Sequence, residues 1–270
     1  MSGAWAEGAS EYATTGPHNV ADWCYLHRVA KAFVDFVDIN PAYFDIEHDR
    51  CYCGPCYPPH YPSVFKSDGP THYLPPKGWF RFGLRAPARM EALNAFEDWS
   101  VSYHGVSSSV VLKSILDCGQ LMKAGDTLLD GTKLWSVKCA GRQDMVFYTS
   151  PTIGYAGLLF YAEPIPFEWQ GRWFEGSIVL QCRQRPGSYT TQGETMGFAR
   201  DWPGHLEDLC GGNIDLNTIE WKSDCNVGAI PHGLLVRVWE RGHDSERGDY
   251  CSPIDPEHLR QVLCPSTTDS

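Results

Sequence analysis

No stretch of the 270 residues reaches the roughly 18–20 apolar residues of a membrane span. The longest candidate, near 153–167, is interrupted by Gly, Glu and Pro, so a membrane partner is not expected. The opening Met-Ser-Gly-Ala-Trp-Ala-Glu has neither a basic nor an apolar segment, so a secretory leader is not expected either. Positive charge is scarce: 22 Lys and Arg stand against 33 Asp and Glu, for a net charge of −11. Such a chain does not grip a phosphate backbone by Coulomb attraction alone. Nucleic acid as a partner is therefore disfavoured, although a nucleotide held by a few directed contacts is compatible. No internal repeat recurs.

What the chain has in quantity is turn-formers, aromatics and thiols. The 26 Gly and 19 Pro imply many turns and long ordered loops, and 10 Trp, 13 Tyr and 12 Phe favour a β-rich core or a pocket that stacks flat ligands. The 11 cysteines are an odd number and mostly scattered. Without a leader they read as reduced thiols in an intracellular, reducing compartment. Cys51, Cys53 and Cys56 instead sit together around Gly-Pro, a spacing that can converge on a tetrahedral ion. A structural zinc is expected there; His48, His60, Cys24 or a distant cysteine are the candidates for fourth ligand. The plainer reading is three incidental thiols in a loop that holds seven prolines between 48 and 76.

Residues 1–20 lack periodicity and read as a flexible tail. From Asp22, a plausible N-cap, Trp23, Leu26, Ala30, Phe33 and Val37 recur at helical spacing. Residues 21–78 thus form a helix and a Cys-rich lobe, 79–240 a mixed α+β unit and 241–270 a C-terminal extension, the whole expected as one integrated domain. Strands are expected at 79–85, 99–103, 145–149, 176–183, 219–221 and 233–239, and helices at 107–119 and 152–161. Residues 185–217 read as loop.

Two strands end in chemistry-bearing residues: Trp99-Ser-Val-Ser-Tyr-His104-Gly105 and Val146-Phe-Tyr148. Each opens into a helical pattern. His104 can contact a ribose hydroxyl, and Gly105 can bring bare backbone against a planar carboxamide. Tyr148 and Tyr155 can flank an aromatic ring. Two carboxylates compete for a third role. Glu220 opens the strand before Trp221, and Glu194 closes the run Gln192-Gly-Glu194. An inward Glu beside a ribose can stabilise positive charge developing on it. Taken singly, each is more often an ordinary core or surface residue.

Together, His104-Gly105, Tyr148 and Glu220 resemble the His-Tyr-Glu signature of the poly(ADP-ribose) polymerase-like ADP-ribosyltransferases. The runs His48-Asp-Arg-Cys-Tyr-Cys, Gly78-Trp-Phe-Arg-Phe-Gly-Leu-Arg85, Ser102-Tyr-His-Gly, Gly119-Gln-Leu-Met-Lys-Ala-Gly-Asp126, Tyr148-Thr-Ser-Pro-Thr-Ile-Gly-Tyr155 and Gly233-Leu-Leu-Val-Arg237 resemble the C-terminal transferase-like domain of the neuralized-like protein 4 group. The resemblance covers about residues 45–240. It implies a split antiparallel β-sheet that cradles NAD+ as substrate, with an unidentified protein acceptor. His104 would bond the adenine-side ribose, the Gly105 backbone the nicotinamide amide, and Tyr148 and Tyr155 would flank the ring. Glu220 would bond the 2′-hydroxyl of the nicotinamide ribose. In the family a Ser or Thr often follows His-Gly; here Val106 holds that position and Ser107 comes next. The Gln192-Gly-Glu194 run resembles the Gln-x-Glu pattern of toxin-like transferases, which keeps Glu194 as the runner-up carboxylate.

Overall fold

The protein is represented by a computed structural model that describes residues 24–57, 65–66, 72–134, 145–195 and 214–241. Helix α1 spans Tyr25–Val37 and buries Val29, Ala30, Phe33, Val34 and Val37 on one face. That apolar stripe is what docks it. Its N-cap is Cys24, without a side-chain cap bond; Asp22, the expected cap, lies outside the described residues.

The larger sheet has the order β1 (Arg50–Cys51), β4 (Phe80–Gly83), β11 (Ala229–Glu240), β8 (Arg172–Gln184) and β5 (Ser100–Val106), with β7 (Ile165–Trp169) also paired to β8. Every pairing is antiparallel. A smaller antiparallel sheet runs β6 (Phe147–Thr149), β10 (Glu220–Ser223), β9 (Thr190–Gln192). A two-stranded ribbon joins β2 (Phe65–Lys66) to β3 (His72–Tyr73). The protein is therefore α+β with mostly antiparallel sheets.

One face of the larger sheet packs on α1 and on α4 (Ser109–Cys118). Phe33, Phe80, Leu112, Ile115, Ile178, Leu180 and Leu234 are all 0–1% exposed in a single cluster. The N-terminal helix thus belongs to the same core as the sheet. β1 extends that sheet at its edge, so the Cys-rich lobe is continuous with it too. The short helices α2 (Ala88–Ala92) and α3 (Ala95–Asp98) lead into β5.

A backbone bridge joins the two sheets. Tyr103 of β5 and Ser150, just beyond β6, exchange both backbone bonds, at 2.7 and 2.9 Å. Tyr103 is fully buried, and its hydroxyl donates to Leu74 O at 2.7 Å. Past this bridge the strands diverge, and β5 hands over to α4, whose Ser108 N-cap accepts from Val111 N at 3.2 Å. Thr152 likewise caps α5 (Ile153–Ala156). The expected helix 152–161 stops at Ala156, in one turn, because the chain bends back over β5. The expected loop 185–217 contains β9.

Candidate active site and metal centre

The divergence of β5 from β6 opens a cleft enclosing about 920 Å³ of empty space, its open mouth included. His104, Gly105, Ser107, Tyr148, Tyr155 and Glu220, separate in sequence, all line it; Glu194 is not among its lining residues.

His104 spans the split. Its Nδ1 is 2.7 Å from the carbonyl oxygen of Tyr148. Burial holds its pKa below the usual imidazole value, partly offset by that bond. In an antiparallel ladder the backbone groups of alternate residues point to the same edge. Tyr103 directs its own pair to Ser150, so Gly105 directs its N–H and C=O to the same edge, now inside the split. An unbroken ladder would set the Tyr148 carbonyl opposite Gly105; His104 has taken that acceptor. The Gly105 backbone pair therefore faces the cleft. A Cβ on Gly105 would come within 2.4 Å of Ala156 O and 2.7 Å of Tyr161 Cβ. The glycine is thus needed first for closure of the segment after α5 over β5.

Glu220 is 1% exposed. Its neighbour Trp221 anchors β10, with the ring stacked on Tyr189 and Nε1 donating to Thr218 O. Among the described residues, four side chains donate to the carboxylate. Tyr155 donates to Oε1 at 2.5 Å and Tyr161 to Oε1 at 3.3 Å, while Gln192 and Thr195 donate to Oε2 at 2.9 and 3.0 Å. Gln192 stands directly opposite Glu220 in the β9–β10 ladder. Burial first, then the neighbouring phenol and carboxylate, push Tyr155 well above the usual tyrosine value. Burial and the Glu220 charge do the same to Tyr161. Both phenols are therefore protonated donors at neutral pH.

The expected Tyr148–Tyr155 pair is brought to one cleft, but Tyr155 is 3% exposed and spends its hydroxyl on Glu220. Tyr161 lies against it, ring centroids 5.4 Å apart, and is the more open of the two. Tyr161 and Thr195 were not singled out from the sequence. Tyr161 sat at the end of a helix that does not extend so far, and Thr195 carries no spacing signal. Ser107 is exposed at the cleft rim.

A second cluster sits at the sheet's opposite edge. Cys24, Cys51, Cys53 and Cys56 bring four sulfurs within 4.8 Å of one another. A tetrahedral zinc with bonds of about 2.3 Å separates its sulfurs by about 3.8 Å. Cys24 Sγ lies 3.4 Å from Cys51, 3.9 Å from Cys53 and 3.9 Å from Cys56. The group could hold a structural metal ion such as zinc. Hydrogen bonding from Cys51 holds Cys53 down at about 5, and burial raises Cys56 to about 12. Of the other candidate fourth ligands, His48 is exposed and pairs with Asp45 at 3.2 Å. His60 lies outside the described residues.

No family model matches the chain, and no solved structure matches it. Among the described residues no helix is long and apolar enough to cross a membrane.

Proposed function

We propose that the protein is an NAD+-dependent ADP-ribosyltransferase of the poly(ADP-ribose) polymerase-like kind that modifies a protein nucleophile, one unit at a time. The observation that carries this reading is the convergence of His104, Gly105, Tyr148 and the buried Glu220 on one cleft. A carbonyl only accepts, so the His104 proton sits on Nδ1 against Tyr148 O. The neutral ring then offers Nε2 as an acceptor to the adenine-side ribose. The Gly105 N–H and C=O match the acceptor and donor of the nicotinamide carboxamide, and Tyr148, Tyr155 and Tyr161 supply aromatic walls.

In the reaction the bond from C1′ of the ribose to the pyridinium nitrogen breaks. Its electron pair goes to nitrogen and nicotinamide leaves neutral, so no strong general acid is needed. The acceptor nucleophile forms the new bond to C1′ and loses its proton. Glu220, bonded to the 2′-hydroxyl, stabilises the oxocarbenium-like charge between those events. We further propose that the four-cysteine group holds one structural zinc.

A second reading is favoured by one fact: protein donors already occupy both Glu220 oxygens. That would suit a module that binds NAD+ or ADP-ribose without turnover. Incubation with labelled NAD+ separates the readings. Label on protein together with free nicotinamide supports transfer, and free ADP-ribose alone means NAD+ hydrolysis. Binding without release of nicotinamide supports the module.

A further inference from the structure

A carboxylate offers about four lone-pair positions. The four side-chain donors that surround Glu220 among the described residues occupy that number, so a ligand hydroxyl that bonds the carboxylate replaces one of them. The four are not equivalent. Gln192 and Thr195 hold Oε2 at 2.9 and 3.0 Å from the strand that pairs with β10 and the residues that follow it. Tyr155 holds Oε1 at 2.5 Å.

Tyr161 is different. Its oxygen is 3.3 Å from Glu220 Oε1 but 3.1 Å from the Tyr155 oxygen. The Tyr155 proton is committed to Glu220, so the Tyr155 oxygen is an acceptor. The single Tyr161 proton therefore has two destinations at nearly equal distance. Rotation about its C–O bond moves that proton from Glu220 to Tyr155 with no shift of heavy atoms. No buried donor is stranded when this happens, which removes the usual cost of about 1–3 kcal/mol for an unsatisfied polar group.

We propose that Gln192 and Thr195 are positioning residues that fix Glu220 Oε2, and that the Tyr161 hydroxyl is the exchangeable donor whose place on Oε1 a ligand hydroxyl takes. The identity of that ligand, a ribose, rests on the NAD+ reading; the donor arrangement itself does not. The Gln192-Gly-Glu194 run then serves the cleft through its glutamine rather than its glutamate.

The test is made at the exchangeable donor itself. Tyr161→Phe keeps the ring and removes the hydroxyl that a ligand must displace, leaving the other three donors on Glu220, so NAD+ binding measured by calorimetry tightens roughly two- to tenfold. Thr195→Val and Gln192→Leu lower nicotinamide release about tenfold with the NAD+ dissociation constant unchanged. A Tyr161→Phe variant that binds NAD+ no more tightly than the wild type overturns the exchange. Unchanged release in both Oε2 variants overturns the positioning role.

Absence of NAD+ binding by the wild-type protein defeats the functional reading, and the donor arrangement is then read from the isotope-edited infrared band of the Glu220 carboxylate. Thr195→Val, Gln192→Leu and Tyr155→Phe shift that band, and Tyr161→Phe shifts it least. An equal or larger shift in Tyr161→Phe overturns the inference by this route.

Discussion

The imidazole Nδ1 of His104 lies 2.7 Å from the carbonyl oxygen of Tyr148, filling the place that a backbone N–H would take if β5 and β6 stayed paired. One side chain thereby props the split open, fixes its own tautomer and leaves the Gly105 amide turned to the cleft. His104→Ala strands the Tyr148 carbonyl and removes the wedge. We expect a loss of about 1–3 kcal/mol in denaturant unfolding, together with loss of NAD+ binding. A variant that binds NAD+ like the wild type would remove His104 from the site.

Glu220→Gln replaces an acceptor-only group with one whose amide faces two of four donors. Nicotinamide release should fall about 10²- to 10³-fold, the scale of losing one preorganised charge contact. Some stability should go with it. Glu194→Gln, in contrast, should retain release, because Glu194 is not among the residues lining the cleft. The opposite pattern in a single-turnover assay would transfer the catalytic role to Glu194.

Gly105→Ala tests the packing account of the glycine. The added methyl meets Ala156 O at 2.4 Å and the Tyr161 backbone and Cβ at under 3 Å. Both are parts of the chain rather than flexible side-chain ends, so the segment after α5 must lift. Overpacking of this kind costs about 1–3 kcal/mol. Thermal unfolding should show it even without ligand; an unchanged melting temperature would mean that the segment yields freely.

Much of the cleft was legible in the sequence because its signals are local. The helix after Ser107, the strand that carries His104-Gly105 and the strand that carries Tyr148 each need only a few neighbouring residues. What was not legible depends on pairing between distant segments. Gln192 reaches Glu220 only because β9 and β10 align those two residues. Cys24 is one of the candidates for fourth ligand; what singles it out is the pairing of β1 with β4 beneath the start of α1, and no sequence spacing sets that distance. The β7–β8 hairpin turns at Gln170-Gly171, both at positive φ, a local signal of the two-residue kind.

The thiol group makes a prediction about metal. The purified protein should carry one zinc per chain by atomic emission, and Cys24→Ser should lose it as completely as Cys53→Ser. Chelation should lower the melting temperature of the wild type but leave Cys24→Ser unaffected. Full zinc content in Cys24→Ser would show that another residue supplies the fourth ligand.

Stability against pH separates two kinds of buried group. Burial depresses His104, and depresses His232 further with the adjoining Arg81 and Arg183. Both are neutral when folded, so they contribute no penalty above the ordinary value of 6.5 and destabilise as pH falls below it. Asp49 has the opposite sign. Burial, outweighing the Gly83 amide and Arg81, raises it from 3.8 to about 6. The folded state holds that proton more tightly, so the Asp49 contribution is full below pH 3.8 and is lost as pH rises through about 6. Asp49→Asn keeps an oxygen for the Gly83 N–H, now bonded at 2.8 Å, and cannot ionise. It should therefore melt higher than the wild type at pH 7.5, and the advantage should shrink as the pH is lowered toward 4.5. A constant difference across that range would show that Asp49 titrates alike in the folded and unfolded chains.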